Sequence, residues 1–308
     1  MSIDCSKCGK PAVYLRRYTA EQLCKSCLVT TTLQRVQKTI NKSKMLSEKD
    51  RIVVAVSGGK DSAVLLDVLF KIEQDYPDTE IIPLTIDEGI KGYRNKAMEA
   101  AQALSSKLGL KLEVRTFQSL FGHSLDEIIS LRQDVSMGAC SYCGVLRRHA
   151  MNAAAQELNA DVVATGHNLD DEAQTVMMNM LRGDSRRIAR TNRSRNVTFS
   201  GFRPRVKPIM ELSERDIVAY TYHLDLPYHD VPCPYSEEAY RNDLRAFLNE
   251  MEYKRPGTLL AILRSAEAIA KAFEQEPFIS EIQECESCGT PTSMKVCKAC
   301  SLLAELGA

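Results

Sequence analysis

The chain has 308 residues, of which 44% are hydrophobic and 26% are charged, values typical of a folded globular protein rather than a disordered one. Forty basic residues balance forty acidic ones, so the overall charge does not indicate a nucleic-acid partner. There is no apolar run of about 18 residues and no apolar stretch near the first residue, so we expect neither a membrane span nor a secretion signal, and therefore a cytoplasmic protein.

Basic residues are unevenly distributed along the chain. Residues 1–50 hold ten Lys or Arg against four Asp or Glu, and residues 182–207 hold nine against Asp184 alone. A local excess of this kind is typical of a surface that binds a polyanion. An ordinary solvated surface explains either cluster equally well.

Eight of the eleven cysteines fall into two quartets with zinc-site spacing. Each quartet consists of two C-x2-C pairs, separated by fifteen residues in the first quartet and by eight in the second. Two such pairs complete a tetrahedron around Zn²⁺, so the sequence predicts two zinc ions, with redox-active pairs as the alternative. The apolar content nearby is thin, so we expect bound metal to supply much of the folding free energy. The predicted zinc ligands are Cys5, Cys8, Cys24 and Cys27, and Cys285, Cys288, Cys297 and Cys300.

Three cysteines remain, at Cys140, Cys143 and Cys233. Three thiolates suit a metal or cluster that keeps one coordination position open, whereas a fourth would close it. A buried and inert set, or a redox pair with one unrelated cysteine, is the alternative.

A glycine-rich loop follows the first strand of the predicted main domain. Residues 51–56 consist of Arg51 and five apolar, mostly β-branched residues, and they lead through the sequence SGGKDS into an apolar helix. Glycine lets the backbone approach phosphate oxygens, the helix N-terminus offers unpaired N–H groups, and Lys60 adds a positive charge. The predicted nucleotide-binding residues of this loop are Ala55, Ser57, Gly58, Gly59, Lys60, Asp61 and Ser62.

Three further strands, at 80–86, 111–116 and 161–165, alternate with helices. This alternation predicts an α/β fold with a doubly wound parallel sheet. Asp87 follows the second strand at the edge where such sheets bind ligands, and we place it near the adenosine, with a helix cap as the alternative.

The fourth strand leads into a polar segment, TGHNLDDE at 165–172. Gly166 and His167 are assigned to the nucleotide site, with packing as another role for the histidine. Asp170 or Asp171 could hold Mg²⁺ near the phosphates, or both could simply offset the helix dipole.

Five segments together resemble the PP-loop tRNA 2-thiouridine synthetases. They are SGGKDS at 57–62, CSYCGVLRR at 140–148, TGHNLDDE at 165–172, LRGD at 181–184 and VPCPY at 231–235. With the terminal cysteine quartets, the chain is most similar to the archaeal NcsA and eukaryotic cytoplasmic tRNA 2-thiolation type, which is TtuA-related. The resemblance covers essentially the whole chain.

The resemblance implies a PP-loop ATP pyrophosphatase (HUP-like) fold and ATP-dependent 2-thiolation of a tRNA uridine. The wobble uridine is favoured, with a T-loop uridine as the alternative. ATP would transfer AMP to the base oxygen, and sulfur would then replace that oxygen. A cytidine thiolase, another PP-loop adenylating ligase and a non-enzymatic zinc protein that binds RNA are the rival interpretations.

The resemblance also assigns roles to individual residues. Cys140, Cys143 and Cys233 would ligate a [4Fe-4S] cluster with one open iron, with a cysteine persulfide as the alternative sulfur carrier. Asp171 matches a catalytic carboxylate, and Lys60 would neutralise the departing pyrophosphate together with Mg²⁺. Arg147 falls where relatives have a basic residue, and because arginine stays protonated it would stabilise negative charge. An ordinary surface arginine is the alternative.

The implied partner is tRNA, held through its phosphates by two groups of basic residues. The sulfur donor would be a ubiquitin-like carrier thiocarboxylate or free sulfide, and a homodimer is expected. The predicted phosphate contacts are Arg35, Lys38, Lys42 and Lys44, and Arg186, Arg187, Arg190, Arg193 and Arg195.

The chain is expected to divide into five segments. Amphipathic patterns predict helices at 212–224, 237–250 and 256–273, and these would bring Cys233 towards the other two unassigned cysteines. The segments are an N-terminal zinc module (1–29), a basic connecting helix (30–50), the ATP-binding catalytic domain (51–210), a helical extension (211–282) and a C-terminal zinc module (283–308).

Overall fold

A computed structural model of the protein describes residues 3–133, 137–189, 201–238, 241–272 and 282–306. Twelve helices and nine strands are found in these ranges. The strands are β1 (Tyr14–Arg16), β2 (Glu21–Leu23), β3 (Arg51–Ala55), β4 (Glu80–Asp87), β5 (Glu113–Thr116), β6 (Val162–Ala164), β7 (Arg205–Val206), β8 (Gln283–Glu284) and β9 (Pro291–Thr292). The helices are α1 (Lys25–Lys42), α2 (Lys60–Glu73), α3 (Arg94–Lys107), α4 (Phe117–Phe121), α5 (Leu125–Leu131), α6 (Ala139–Glu157), α7 (Leu169–Leu181), α8 (Ser185–Ala189), α9 (Glu214–Leu224), α10 (Arg241–Lys254), α11 (Thr258–Ala272) and α12 (Lys298–Ala304).

The central sheet has five parallel strands in the order β5-β4-β3-β6-β7. The doubly wound parallel sheet expected from the sequence is confirmed. Strand β7 escaped prediction because it has only two residues, and two residues carry no periodicity. The strand order reverses between β3 and β6, so a crevice opens at the carboxyl ends of these two strands, where open α/β sheets bind ligands.

Side chains of the central strands alternate between two apolar cores. Ile52 and Val54 of β3 pack with α1, α2, α9 and α11 on one face of the sheet. Val53 and Val163 face the opposite side and pack with α4, α5, α6 and α12. This alternation explains why β3 reads as a continuous apolar run, since a parallel strand is buried on both faces.

The N-terminal hairpin β1–β2 is attached to the catalytic domain by a buried ion pair. Arg16 Nε lies 2.7 Å from Asp216 Oδ1, and neither side chain is exposed to solvent. Tyr18 donates a second hydrogen bond to Asp216, at 2.6 Å. Asp216 lies in the first turn of α9, so this hairpin holds the start of that helix.

The C-terminal module packs against α6. Leu302 and Leu306 belong to the same apolar core as Leu146 and Ala150 of α6. Buried apolar contacts therefore stabilise this module in addition to the contribution expected from bound metal. Within the described ranges, no helix combines the length and apolarity needed to cross a membrane.

Candidate active site

The SGGKDS loop connects β3 to α2 at the crevice. The hydroxyl of Ser62 donates to the carbonyl of Gly59 at 2.9 Å and accepts from the amide of Ser57 at 3.1 Å. Gly59 caps the N-terminus of α2 with extended backbone. These bonds hold the loop in a compact turn at the start of α2. The backbone amides at a helix N-terminus lack partners within the helix and can bind phosphate.

Two glycines allow close backbone packing around the loop. Gly58 has φ +90°, and a Cβ there would lie 2.0 Å from the carbonyl oxygen of Ala97. A Cβ on Gly166 would lie 3.1 Å from the amide of Ser62. Gly58 and Gly166 therefore serve to fit the loop against its neighbours.

Lys60 is held by two carboxylates. Its Nζ lies 3.1 Å from Asp61 Oδ2 and 2.9 Å from Glu214 Oε1, and these carboxylates raise the pKa of Lys60 against the opposing effect of burial. The ammonium group therefore stays charged at the start of α2. Arg245 pairs with Glu214 at 3.1 Å and extends the network into α10.

A cavity of about 290 Å³, which we call the ATP cavity, lies between the loop, α6 and the start of α7. Its size falls near the lower end of the range for small-molecule sites. Eight predicted site residues line it, and Glu88 and Arg94 lie among the other lining residues. The eight are Ala55, Ser57, Asp61, Ser62, Arg147, Gly166, His167 and Asp171.

Glu88 and Arg94 escaped the sequence analysis, yet they connect the loop to α6. The buried carboxylate of Glu88 lies 2.9 Å from Arg94 Nε and 2.7 Å from Arg147 Nε. Arg94 also donates to the carbonyl of Ser57 at 2.6 Å. The sequence signal for Glu88 is its position directly after β4, at the edge where parallel sheets bind ligands. The sequence analysis assigns that role to the preceding residue, Asp87.

Arg147 reaches from the ATP cavity to the unassigned thiols. Its Nη2 donates to the sulfur of Cys143 at 3.1 Å, one turn earlier on α6. Glu88 and the neighbouring thiol raise its pKa in spite of desolvation by burial, so the guanidinium stays charged. Arg147 thus lies between the nucleotide region and Cys143 with a fixed orientation.

The three remaining cysteines come together at the first turn of α6. Cys140 and Cys143 lie on this turn, and Cys140 donates from its sulfur to the carbonyl of Tyr235 at 3.3 Å, two residues beyond Cys233. Burial raises the pKa of Cys143, and the nearby Cys233 and Cys140 add to the rise; burial likewise raises the pKa of Cys233, and Cys140 adds to it. The approach of Cys233 to this pair is as the sequence analysis expected.

The spread of these three sulfurs differs from that of the quartets. Among the described residues, only the two quartets form groups of three or more ligands within 4.8 Å of one another. The sulfurs of Cys140, Cys143 and Cys233 therefore do not all lie within 4.8 Å of one another, as the ligands of a single tetrahedral ion would. Burial raises the pKa of Cys143 to about 11, while Arg147 acts in the opposite direction, so the thiol needs a cation to replace its proton.

Comparisons with known proteins identify a matching family and relatives that are similar over nearly the whole chain. The PP-loop domain family matches residues 28–252 of this chain. The tRNA 2-thiolation protein NcsA of Haloferax volcanii is 35% identical over 99% of this chain and all of its own length. Cytoplasmic tRNA 2-thiolation protein 1 of Drosophila mojavensis is 37% identical over 99% of this chain and 89% of its own.

A solved structure agrees over the whole length. The U34-tRNA thiolase NcsA from Methanococcus maripaludis, described with its [4Fe-4S] cluster, has a TM-score of 0.86 and 32% identity, covering 100% of this chain and 98% of that one. This chain belongs to the PP-loop tRNA 2-thiolation family. The family assignment made from the five sequence segments is confirmed.

In this member of the PP-loop family, the two aspartates after β6 face different cavities. Asp171 lines the ATP cavity, and it also forms a capping box with Asn168, whose side chain accepts from the Asp171 amide at 2.9 Å. Asp170 instead lines a second cavity and accepts from the amide of Glu214 at 2.8 Å. Asp171 therefore lies in the wall of the ATP cavity, whereas Asp170 lies in the wall of the second cavity.

Asp87 does not line the ATP cavity. Its carboxylate accepts from the amide of Gly89 at 2.9 Å and closes a turn after β4. The sequence predicts a contact with adenosine or a helix cap for Asp87, and the observed bond instead closes this turn, since the N-cap of the next helix is Tyr93. Glu88 lines the cavity in its place.

In this PP-loop protein the four sulfurs of each quartet lie within 4.8 Å of one another. Neighbouring sulfurs lie 3.6 Å apart between Cys8 and Cys24 and 3.8 Å apart between Cys288 and Cys297. Zn–S bonds of about 2.3 Å place tetrahedral sulfurs roughly 3.8 Å apart. Gly9 and Gly289, which follow the knuckles, have φ values of 71° and 69°. These quartets can hold metal ions.

The predicted phosphate contacts divide into three groups. Arg35, Lys38 and Lys42 lie along α1, with Lys44 just beyond it, and Lys42 is shared by Glu211 and Glu267. Arg187 pairs with Asp184 at 3.0 Å. The side chains of Arg186, Arg190, Arg193 and Arg195 lie outside the described residues.

Proposed function

We propose that this chain is a tRNA-uridine 2-sulfurtransferase that activates the base with ATP and uses sulfur held at Cys140, Cys143 and Cys233. The observation that carries the proposal is the bridge from the ATP cavity to these thiols, in which Arg147 lines the cavity and donates to Cys143. The names of the relatives support tRNA as the substrate, and the name of the solved thiolase supports the wobble uridine. A cytoplasmic location accords with the name of the eukaryotic relatives.

The activation step follows from the loop. The uridine O2 attacks the α-phosphorus of ATP, the bond to the β-phosphate oxygen breaks, and pyrophosphate leaves. Amides at the start of α2 and the ammonium group of Lys60 stabilise the charge that develops on pyrophosphate. Asp171 and Asp61 offer carboxylate oxygens for Mg²⁺ in the same cavity.

The replacement step follows from the thiols and Arg147. Hydrosulfide adds to C2 of the activated base, and the C2–O bond then breaks with release of AMP, so no net electron transfer occurs. Three thiolates leave one iron of a [4Fe-4S] cluster without a protein ligand, and that iron supplies a site for sulfide. Arg147 stabilises the negative charge that grows as sulfur approaches and AMP departs.

Anaerobic purification with metal and nucleoside analysis tests the proposal. We expect a brown protein with about four irons per chain, and Cys233→Ala should lose both the irons and the 2-thiouridine product. Ser141→Ala, on the same helix as Cys140 and exposed, serves as the matched control and should keep both. Colourless protein that forms 2-thiouridine would favour a persulfide, and thiocytidine in place of thiouridine would overturn the substrate.

The two quartets are proposed to hold Zn²⁺. Cys300→Ser should reduce the zinc content from about two ions per chain to about one and lower the unfolding temperature. Unchanged zinc content would contradict this assignment. The sulfur donor is proposed to be a carrier thiocarboxylate or free sulfide, and the enzyme a homodimer, as thiolation assays with each donor and sedimentation analysis would establish.

A further inference from the structure

A second and larger cavity lies beside the ATP cavity. It has a volume of about 650 Å³ and is enclosed by the N-terminal hairpin, α9 and α10. We call it the tyrosine cavity, because five tyrosines line it. They are Tyr14, Tyr18, Tyr222, Tyr228 and Tyr253.

Two of these rings are unusually exposed. Tyr222 is 78% exposed and Tyr253 is 61% exposed. Single apolar residues at a surface need no explanation, but aromatic rings gathered around one cavity indicate a binding site. Tyrosine offers a flat face for stacking, which every nucleobase can use whatever its sequence.

Cationic groups accompany the rings. The guanidinium of Arg17 lies 4.6 Å from the ring centroid of Tyr253, and Arg215 is exposed on α9. The carboxylates lining the cavity are already engaged: Glu252 accepts from the amides of Gly257 and Leu259. Asp170 and Glu214 also have the partners described above. Arg17 donates one hydrogen bond to the carbonyl of Tyr253 at 3.0 Å, and a guanidinium has five N–H groups, so donors remain for a phosphate next to a neutral base.

The tyrosine cavity shares a lining residue with a basic groove and has a lining residue next in sequence to one of the ATP cavity. Tyr18 also lines a groove with Arg35, Lys38 and Arg264, on the basic side of α1. At the other end, Asp170 lines the tyrosine cavity while the next residue, Asp171, lines the ATP cavity. The tyrosine cavity therefore neighbours the basic groove at Tyr18 and the ATP cavity at the first turn of α7.

We propose that the tyrosine cavity binds one unpaired nucleobase of the RNA substrate by stacking, with the adjoining phosphate on Arg17 and Arg215, while the target uridine occupies the ATP cavity. This assignment rests on the proposed function. It adds a site where the substrate loop is held open, and the cost of unstacking a base is offset by stacking on tyrosine.

Binding of substrate tRNA to three variants tests the assignment. Tyr222→Ala should raise the Kd for tRNA roughly 5- to 100-fold. The salt dependence of binding should not change, because stacking is not electrostatic. Tyr222→Phe keeps the ring and should keep the affinity. Phe247 is another exposed aromatic, on α10, and does not line the cavity, so Phe247→Ala is the control variant and should bind like the wild type.

Synthetic RNA hairpins that copy the substrate loop, each with one abasic nucleotide, identify the base. The hairpin that lacks the stacked base should bind the wild type as weakly as the intact hairpin binds Tyr222→Ala. That same hairpin should bind Tyr222→Ala no more weakly than it binds the wild type. Arg215→Ala should reduce the slope of log K against log salt by about one.

Three outcomes overturn the assignment, and they are distinguishable. If Tyr222→Ala binds tRNA with wild-type affinity and the protein thiolates tRNA, the assignment of the tyrosine cavity is rejected while the proposed function stands. A shift of Tyr222→Ala from dimer to monomer in sedimentation identifies a second copy of the chain as the occupant. If the wild type neither binds nor thiolates tRNA, the proposed function and this assignment fall together.

Discussion

Glu88 Oε1 lies 2.7 Å from Nε of Arg147, and the carboxylate is almost fully buried. The other oxygen of Glu88 pairs with Arg94, which binds the backbone of Ser57 in the nucleotide loop. Arg147 in turn donates to Cys143. One buried carboxylate therefore sets the position of the nucleotide loop relative to the sulfur-bearing helix. Activation and sulfur transfer need that spacing, because the same base oxygen takes part in both steps.

Arg147→Met should lower the rate of the thiolation step about 100-fold while leaving ATP binding nearly unchanged, because a charge donor to the reacting centre is lost. Arg147→Lys should lose less, since lysine keeps the charge but cannot contact Glu88 and Cys143 together as a planar fork does. Single-turnover thiolation with saturating ATP measures the step. Equal rates for the wild type and Arg147→Met would show that Arg147 is an ordinary surface residue without a role in the thiolation step.

Gly58→Ala should prevent ATP binding and destabilise the fold by about 2 kcal/mol or more. The φ of +90° is strained for any side chain, and the new Cβ would collide with the backbone of Ala97. Gly59→Ala is the matched control: its Cβ would meet only Ser57 Oγ at 3.6 Å, so we expect a stability change below about 1 kcal/mol. Urea unfolding and ATP binding measure both effects. Similar losses for the two variants would contradict the packing argument.

Arg16→Ala should destabilise the protein by about 3–5 kcal/mol, because it leaves the buried carboxylate of Asp216 without its cation. The start of α9 carries Glu214, the partner of Lys60, so nucleotide binding should weaken as well. Arg17→Ala, at the next and half-buried position, should cost less than about 1 kcal/mol. Thermal unfolding of both variants provides the comparison, and a mild effect at Arg16 would mean that the hairpin is not anchored through this pair.

The stability of the protein should depend on Asp170 between about pH 4 and pH 6. Burial raises the pKa of Asp170 from 3.8 to about 6, and the charges of Glu214, Asp171 and Glu252 add to the rise although the Glu214 amide opposes it. A raised acid pKa means that the folded state binds its proton more tightly, so this stabilisation is present below pH 4 and is lost as pH rises through 6.

Asp170→Asn removes this dependence and should be more stable than the wild type by about 1–3 kcal/mol at pH 7, with the difference vanishing near pH 4. Urea unfolding from pH 4 to pH 7.5 measures the difference. A constant difference across that range would show that the carboxyl does not titrate as described.

Local patterns determined much of this protein before any coordinates. The run from β3 into SGGKDS and α2 predicted the nucleotide loop, because a buried strand, glycines and an apolar helix are encoded in adjacent residues. Cysteine spacing likewise predicted both quartets, since each knuckle forms within four residues. The three spare thiols and their family resemblance predicted the sulfur chemistry.

Only the tertiary structure decided which polar residues face which cavity. Asp170 and Asp171 are neighbours in the first turn of α7 and differ by about 100° around its axis, so one faces the tyrosine cavity and the other the ATP cavity. Asp87 and Glu88 also face different directions. At the end of β4, successive side chains point to opposite sides of the sheet. The pairing of Arg16 with Asp216, 200 residues apart, and the tyrosine cavity depend on contacts between distant segments, which local periodicity does not encode.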